Sequence, residues 1–480
     1  MYKNGIKVGY LPLYIKLYDD SNPHYRDPLV RHMHTLMDML DSEGFEVITA
    51  PVHTVGDYKE PLMGDNICRV KPEFEEAVEQ LNAADVDAVI TQHLAYSPSL
   101  EAIDALCKLN APIIVLDTTP DYSLIDQAGF YNGISHNHGI HGVQDMCNLL
   151  KQRGVNYEIV AGHALHSDVV AQAARLVKAA KAAKNFKNAR VGTVGGSFTG
   201  MGDFFVSPEH YEASIGAKVS LMDNDAVKEA VASVTEEEID AEIEVEKGLF
   251  TYEITDTEAY RLAVKSGLAV RKWAEKEQLD SCTVNFLTLD ECGLPKMPFT
   301  ECTKMLMRGM GYAGEGDVLT AGLVGALRKV YPNTTFTEMF CPDWKENVIL
   351  LSHMGECNAN LAKWRPVLRT VAFNYNTCGD TAAAYTCLRA GKATFVNLAP
   401  MNDGYNLIVT PVEMLDAGLE FGVYRNSTQG WMKPCKPLTE FLPEFSMAGG
   451  THHSALVYDV AAEDIAAFGR MMGFNVIVIK

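Results

Sequence analysis

The first 188 residues alternate between short apolar segments typical of β-strands and longer segments with helical periodicity. The predicted strands are Ile6–Tyr10, Glu46–Ala50, Asp87–Thr91, Ile113–Asp117 and Glu158–Ala161. The predicted helices include Leu29–Leu40, Phe74–Leu81 and an alanine- and lysine-rich helix over Val169–Phe186. Because strands that alternate with helices form a parallel sheet covered on both faces, residues 1–188 are predicted to be a Rossmann-like α/β domain.

The rest of the chain divides into two further predicted domains. A buried-strand signal at Arg190 and a long helical pattern over Glu258–Glu277 predict a central α/β domain over residues 189–332. Residues 333–480 contain short β-rich pieces separated by turn residues, namely Val348–Leu351, Thr394–Leu398, Leu407–Val409 and Val476–Ile479. We therefore predict an α/β protein with two doubly wound parallel-sheet domains, followed by a β-rich, barrel-like C-terminal domain.

Composition excludes some classes of partner. The formal net charge of −21 disfavours nucleic acid and anionic membrane surfaces, since both require a basic face. No apolar run approaches the roughly 18 residues of a membrane span, and no signal-peptide pattern opens the chain. The 11 cysteines include no Cys-x-x-Cys pair, so we expect reduced thiols and a cytoplasmic location.

Two glutamates and two histidines are candidate metal ligands. Glu315 lies in a glycine-rich turn, Glu338 and His353 lie in and after β-like runs, and His453 follows His452 near the C-terminus. Two carboxylates and two imidazoles suit a divalent cation such as Mn²⁺. Each residue also has a structural alternative: Glu315 can be an acid at a helix start, and lone histidines are usually packing residues. In an extended segment His452 and His453 should point to opposite faces, so one strand offers only one of them to a metal.

Two further segments are candidates for substrate contacts. Val194–Gly202 follows a predicted strand, but its glycine spacing fits neither nucleotide-binding pattern. We expect a flexible loop that touches a substrate there, with Phe198 as its aromatic residue. The tract Ile134–Gly142 contains His138 and His141, three residues apart among glycines that indicate a loop. Two imidazoles without a further ligand make a poor metal site, so polar substrate contacts and a structural role both remain open.

Several of these segments resemble the L-arabinose isomerase / L-fucose isomerase family. Gly311–Asp317 is similar to the segment that carries one metal-binding glutamate in L-arabinose isomerases, and Ala448–His453 is similar to the C-terminal motif whose second histidine binds metal. Tyr96-Ser97-Pro98 and Asn137–Gly142 also match, and the order of domains agrees over nearly the whole chain.

The resemblance implies a metal-dependent aldose–ketose isomerase. Glu315, Glu338, His353 and His453 would hold Mn²⁺, or another divalent cation such as Co²⁺ or Mg²⁺, and the two glutamates would act as acid and base through an ene-diol. The implied substrate contacts are Leu11, Tyr96, His138, His141, Phe198 and Phe286. The resemblance also implies a homo-oligomer, a hexamer in the family, in which His141 assists a neighbouring subunit's site.

The sugar-reading positions depart from the family. Leu11 stands where L-arabinose isomerases have a substrate-contacting glutamine, and His138 replaces another glutamine. We therefore expect a pentose or hexose substrate other than L-arabinose. Two alternatives remain: an isomerase of a modified hexose, deoxygenated or acidic at C6, and a non-catalytic sugar-binding protein.

Overall fold

The computed structural model describes residues 5–52, 63–125, 133–416 and 427–480. The chain forms two compact units, Met1–Lys184 and Asn185–Lys480. The division into three domains at residues 188 and 332 stays a prediction. Among the residues described, no helix is both long and apolar enough to cross a membrane.

The first unit is built on a parallel five-stranded sheet of order β2-β1-β3-β4-β5. Its strands are β1 (Lys7–Leu13), β2 (Glu46–Thr49), β3 (Ala88–His93), β4 (Ile113–Asp117) and β5 (Tyr157–Ala161). Its helices are α1 (Lys16–Ser21), α2 (Asp27–Ser42), α3 (Lys71–Ala83), α4 (Ser99–Leu106), α5 (Ile134–Asn137) and α6 (Gly139–Gln152), with α7 (Val169–Lys187) running across the boundary between the units. The predicted parallel sheet is confirmed, because each predicted strand overlaps an observed one.

One local prediction in this unit is wrong. The tract Ile134–Gly142 was expected to be a loop, but it forms α5 and the first turn of α6. Its glycines allow α6 to lie close to the end of β3. A Cβ at Gly139 would lie 2.5 Å from the carbonyl oxygen of His93, and a Cβ at Gly142 would lie 2.4 Å from His93 Nδ1. These glycines therefore serve helix–strand packing instead of a turn.

The second unit opens with a parallel four-stranded sheet of order β10-β9-β6-β7. Its strands are β6 (Arg190–Val194), β7 (Lys218–Met222), β9 (Ser281–Val284) and β10 (Gly311–Gly314). The helices of this part are α8 (Pro208–Ile215), α9 (Asn224–Ala232), α10 (Glu236–Leu249), α11 (Thr257–Lys276), α12 (Leu289–Cys292), α13 (Phe299–Arg308) and α14 (Val318–Arg328). A separate three-stranded sheet joins β8 (Thr251–Glu253), β13 (Val367–Val371) and β14 (Thr381–Tyr385).

The second unit also contains a closed, barrel-like sheet, as predicted. Its strands are β11 (Thr334–Asp343), β12 (Val348–Ser352), β15 (Gly391–Met401), β16 (Gly404–Leu415), β17 (Gly430–Pro434), β18 (His453–Tyr458) and β19 (Asn475–Val478), with helices α15 (Leu438–Met447) and α16 (Ala462–Met472). The strand order is β15-β18-β11-β12-β17-β16-β19, and pairing between β15 and β16 closes the ring. Its apolar core includes Leu351, Phe395, Ile408, Met432 and Leu456.

Candidate metal centre

The second unit brings the four predicted ligands together at one end of the barrel strands. Glu338 lies in β11 and pairs with Ser352 of β12 on one side and with His453 of β18 on the other. His353 directly follows β12. Single ligand atoms of Glu338, His353 and His453 all lie within 4.8 Å of one another. Register across three neighbouring strands therefore creates the cluster.

Glu315 completes the group from the end of the parallel sheet. It follows β10, and its amide donates to the carbonyl of Val284 over 3.0 Å. Its Oε2 lies 3.5 Å from Nε2 of His453. The turn requires an unusual backbone, because Glu315 has φ +62° and Gly316 has φ +78°. A Cβ at Gly316 would lie 2.3 Å from the carbonyl oxygen of Gly196, so only glycine fits at this close approach.

The Nδ1 atom of each candidate ligand histidine is hydrogen-bonded to a buried carboxylate. Nδ1 of His353 lies 2.7 Å from Glu356 Oε2, and Nδ1 of His453 lies 3.0 Å from Asp317 Oδ2. Because an ionised carboxylate only accepts hydrogen bonds, both Nδ1 atoms donate. Each Nε2 is then directed towards the cluster, and Nε2 of His453 is buried with no hydrogen-bond partner. A buried ring nitrogen without a partner is what a metal ligand leaves when the ion is absent.

The two supporting carboxylates are themselves held in place. Asp317 is the N-cap of α14, where its Oδ1 accepts from the amide of Thr320 over 2.9 Å. Glu356 accepts from the hydroxyl of Tyr312 over 3.2 Å. Both carboxylates are almost completely buried. The orientation of His353 and His453 is therefore fixed by the fold.

Aromatic rings cover the faces of the histidines. Phe204 stacks on His453 with ring centroids 4.9 Å apart and an interplanar angle of 9°. Phe336 meets His353 and His453 edge-on, at 4.9 and 5.0 Å. These contacts restrict both rings and exclude water from their faces, so that only the Nε2 edge remains for a ligand.

His452 also points into the cluster, contrary to the prediction of opposite faces. Its Nε2 lies 3.5 Å from Glu315 Oε2, the distance also found for His453. Its Nδ1 lies 2.6 Å from Asp203 Oδ2. The alternation rule fails here because β18 begins at His453, which leaves His452 outside the extended strand. Single side-chain atoms of Glu315, His452 and His453 thus also lie within 4.8 Å of one another.

The two glutamates differ in their affinity for protons. Burial raises the pKa of Glu315, but the imidazoles of His452 and His453, each with Nε2 3.5 Å from Oε2, outweigh it and hold the pKa well below the ordinary range. Burial raises the pKa of Glu338, and the nearby His353 and His453 only partly offset that increase. Burial alone would lower the pKa of His453, but the hydrogen bond to Asp317 and the nearby carboxylate of Glu315 raise it to about 9. Relative to a carboxyl in water, the surroundings of Glu315 favour its anion and those of Glu338 favour its protonated form.

The donor set fits a divalent cation of intermediate hardness. Two carboxylates offer oxygen and two imidazoles offer Nε2, a combination that suits Mn²⁺ and also accommodates Co²⁺. Both imidazoles have the hydrogen-bonded Nδ1 typical of metal-ligating histidines.

Four of the predicted substrate contacts lie in the first unit. Tyr96 follows β3 and its hydroxyl lies 3.5 Å from Asp145 Oδ2. His138 lies between α5 and α6, with Nε2 3.1 Å from the hydroxyl of Tyr18, and its ring is 5.5 Å from that of the exposed His141. Leu11 is different, because its side chain is fully buried in the apolar core of this unit. The structure therefore gives Leu11 a packing position, and the predicted substrate contact has no support from it.

The remaining two predicted contacts are neighbours in the second unit. The rings of Phe198 and Phe286 meet edge-on at 5.4 Å, and Phe286 also contacts Phe373 at 5.7 Å and Tyr375 at 5.9 Å. The loop after β6 that carries Phe198 is anchored through the carbonyl of Gly195, which accepts from Thr288 Oγ1 over 2.8 Å. The aromatic pair thus lies on an anchored segment.

Three residues that support the cluster were not predicted from the sequence: Asp203, Phe204 and Glu356. The hydrogen bond between Asp317 and His453 was not predicted either. Glu356 gave a signal, since a carboxylate three residues after a candidate ligand can reach back to it. Asp203 and Phe204 gave none, because they are far from residues 452 and 453 in the sequence and meet them only in the folded unit.

Comparison with known proteins gives matches to one family. The model for the L-arabinose isomerase central domain matches residues 209–332, and the model for the L-arabinose isomerase C-terminal domain matches residues 333–475. Together they match more than half of the chain. The C-terminal match includes Glu338, His353 and His453, and the central match includes Glu315.

Individual relatives extend over most of the chain. The L-arabinose isomerase of Shouchella clausii (strain KSM-K16) is 22% identical over 84% of this chain and 85% of its own length. The L-arabinose isomerase of Levilactobacillus brevis is 25% identical over 82% of this chain and 85% of its own length. Among solved structures, a periplasmic solute-binding protein of Actinobacillus succinogenes 130z with bound D-allose aligns over 68% of this chain and 91% of that chain. Its 13% identity and TM-score of 0.17 do not establish a shared fold.

Proposed function

Because this chain belongs to the L-arabinose isomerase-like family and is an aldose–ketose isomerase of sugars, we propose that its activity depends on Mn²⁺ held by Glu315, Glu338, His353 and His453. One observation carries the proposal. Two buried histidines are each hydrogen-bonded through Nδ1 to a buried carboxylate, and the Nε2 of each ring faces a glutamate. A carboxylate bonded to Nδ1 fixes the orientation of each ring, as it does for metal-ligating histidines.

The reaction moves hydrogen between C1 and C2 of an open-chain sugar. When bound, a divalent cation supplies Lewis-acid polarisation of the sugar carbonyl, worth several kcal/mol at the transition state. One of Glu315 and Glu338 takes the proton from C2 while the other delivers a proton to O1, which gives an ene-diol. Return of a proton to C1 and loss of the proton on O2 give the ketose. A positioned acid or base typically contributes about 10²–10⁴-fold each.

Chelation and reconstitution test the metal dependence. Protein treated with EDTA should lose ketose formation from a panel of aldoses, and Mn²⁺ should restore it. His353→Ala should abolish Mn²⁺ binding in isothermal titration calorimetry, whereas His24→Ala, at an exposed histidine, should bind as the parent does. Full turnover by protein shown to be free of metal would overturn the proposal. Metal binding without turnover of any aldose would favour a sugar-binding protein instead.

The preferred sugar is proposed to differ from L-arabinose. His138, bonded to the Tyr18 hydroxyl, stands where the family has a glutamine, so a sugar hydroxyl meets a different donor. One altered hydrogen bond of about 1.5 kcal/mol corresponds to about a tenfold change in kcat/KM. We therefore expect kcat/KM for L-arabinose to lie at least ~10-fold below that for the best aldose, a pentose, hexose or modified hexose. A clear preference for L-arabinose over the whole panel would refute this expectation.

The protein is further proposed to be a homo-oligomer, a hexamer by resemblance, with active sites shared between subunits. His141 is exposed on α6 and is the proposed donor in trans. Mixed oligomers of His141→Ala and Glu315→Ala subunits should recover part of the activity, because some sites then receive both intact residues. Confirmed mixed oligomers that stay inactive would contradict site sharing.

A further inference from the structure

Asp203 accepts two hydrogen bonds from His452. Its Oδ2 accepts from the ring Nδ1 over 2.6 Å and from the backbone amide of the same residue over 3.0 Å. The second contact fixes the main chain immediately before β18, and the first fixes the ring. His452 is only partly exposed, with 30% of its side chain accessible. The orientation of this imidazole is therefore set by a residue about 250 positions away in the sequence.

The held ring faces Glu315. With Nδ1 turned to Asp203, Nε2 is directed to Oε2 of Glu315, 3.5 Å away. The same oxygen lies 3.5 Å from His453 Nε2. If His453 Nε2 bound a cation, its contact with Glu315 would be lost, whereas Asp203 would still hold His452 from the other side.

The segment that carries Asp203 also reaches the ligand histidine. Phe204 stacks flat on His453, 4.9 Å away, and lies 5.3 Å from His452. Two consecutive residues between β6 and α8 thus restrain two consecutive histidines at the start of β18. Phe204 is buried, whereas Asp203 lies at the rim, with 40% of its side chain accessible.

We propose that Asp203 and His452 are positioning residues, which orient the carboxylate of Glu315 for cation binding and proton transfer without themselves binding the cation. The inference rests on the proposed metal-dependent function. It adds Asp203 and His452 to the four proposed ligands: Asp203 holds His452, and His452 faces Glu315. Partners that orient a metal ligand from behind typically change metal affinity or activity by about 10–100-fold when removed.

The test compares Asp203→Ala, Asp203→Asn and His452→Gln with the parent and with Glu212→Ala, an exposed carboxylate on α8 away from these contacts. Mn²⁺ affinity is measured by electron paramagnetic resonance of free Mn²⁺, and kcat and KM are measured on the best aldose. Thermal unfolding of the metal-free proteins shows whether each variant is folded.

Asp203→Ala and His452→Gln should weaken Mn²⁺ binding about 10–100-fold and lower kcat more than they raise KM. Asp203→Asn should fall between, since it keeps an acceptor for the backbone amide but loses the charge that holds the ring. Folded Asp203→Ala and His452→Gln proteins with the parent's Mn²⁺ affinity and kcat would overturn the inference. Complete loss of Mn²⁺ from His452→Gln, with only a small effect of Asp203→Ala, would show that His452 is a ligand. If the parent itself binds no Mn²⁺, the proposed function fails instead.

Discussion

Gly314→Ala should displace the ring of His353 while it leaves all four candidate ligand residues unchanged in the sequence. Gly314 is the last residue of β10 and lies directly before Glu315. A Cβ at this position would lie 2.7 Å from Cε1 and 3.1 Å from Nε2 of His353. The backbone of Gly314 is not in the left-handed region, so alanine meets no conformational obstacle and the effect is purely steric.

The size of the effect follows from these distances. Carbon atoms in ordinary contact lie about 3.5–4.0 Å apart, so the His353 ring must move by about 1 Å. It cannot move freely, because Glu356 holds its Nδ1 and Phe336 packs against its edge. Such overpacking typically costs about 1–3 kcal/mol. A displacement of about 1 Å also exceeds the tolerance of about 0.2 Å in metal–ligand distances, and can lower a catalysed rate about 100-fold.

The assay measures Mn²⁺ binding by calorimetry, ketose formation from the best aldose, and thermal unfolding. Gly314→Ala should bind Mn²⁺ at least ~10-fold more weakly and lose about 100-fold in kcat/KM. Gly248→Ala is the matched control. It changes a glycine near the end of α10 that has no atom within 4 Å of the added methyl group. That control should be neutral or more stable by about 0.5–1 kcal/mol, because alanine favours helix.

Parent-like Mn²⁺ affinity and activity in Gly314→Ala would refute the reasoning. It would mean that His353 has room to shift without losing function, and that its Nε2 is not a ligand fixed by this geometry. A loss of Mn²⁺ binding in Gly248→Ala would instead show that the assay reports general stability.

Three further predictions address other parts of the molecule. His453→Ala should abolish Mn²⁺ binding while His452→Ala retains measurable affinity, and calorimetry giving the reverse order would mean that the adjacent histidines exchange roles. Leu11→Gln should lower the free energy of unfolding of the first unit by about 1–3 kcal/mol, because it buries an amide in an apolar core. An unchanged unfolding midpoint in urea would instead indicate a polar partner for position 11. Burial raises the pKa of Glu242, but Arg271 and Lys304 outweigh it and hold the pKa at about 2, below the ordinary 4.5. Its ionised form therefore stabilises the fold above pH 4.5, and this contribution is lost as pH falls towards 2. The difference in Tm between the parent and Glu242→Gln should therefore narrow over that range. A difference that widens as the pH falls would contradict the lowered pKa of Glu242.

Sequence patterns predicted the parallel sheets because most residues of inner strands such as β3, β4 and β9 are buried. Such strands are short apolar runs between helices, and β4 lies over the predicted Ile113–Asp117 without a change in either end. The small sheet of β8, β13 and β14 was not predicted. Its first strand has only three residues and pairs with a segment far away in the sequence, so neither periodicity nor local turns mark it.

The candidate ligands were easier to predict than their supports. Resemblance selected Glu315, Glu338, His353 and His453. The barrel brings the last three together through the pairing of Glu338 with Ser352 and His453, and Glu315 reaches them from the end of β10. The direction of His452 was predicted wrongly, because strand alternation was applied one residue before the strand begins. Supports such as Asp203 depend on how a loop folds back over the barrel, which no local pattern records.

The left-handed backbone of Glu315 implies that this protein gives up stability in order to act. A non-glycine residue with φ near +62° is less stable by about 1–2 kcal/mol than glycine would be in the same turn. Glu315→Gly should therefore raise the unfolding free energy of the metal-free protein relative to Glu315→Ala, while both are inactive. Substitution to glycine is thus a route to greater heat resistance at this position, and the proposed role of Glu315 predicts that a lineage taking it loses isomerase activity.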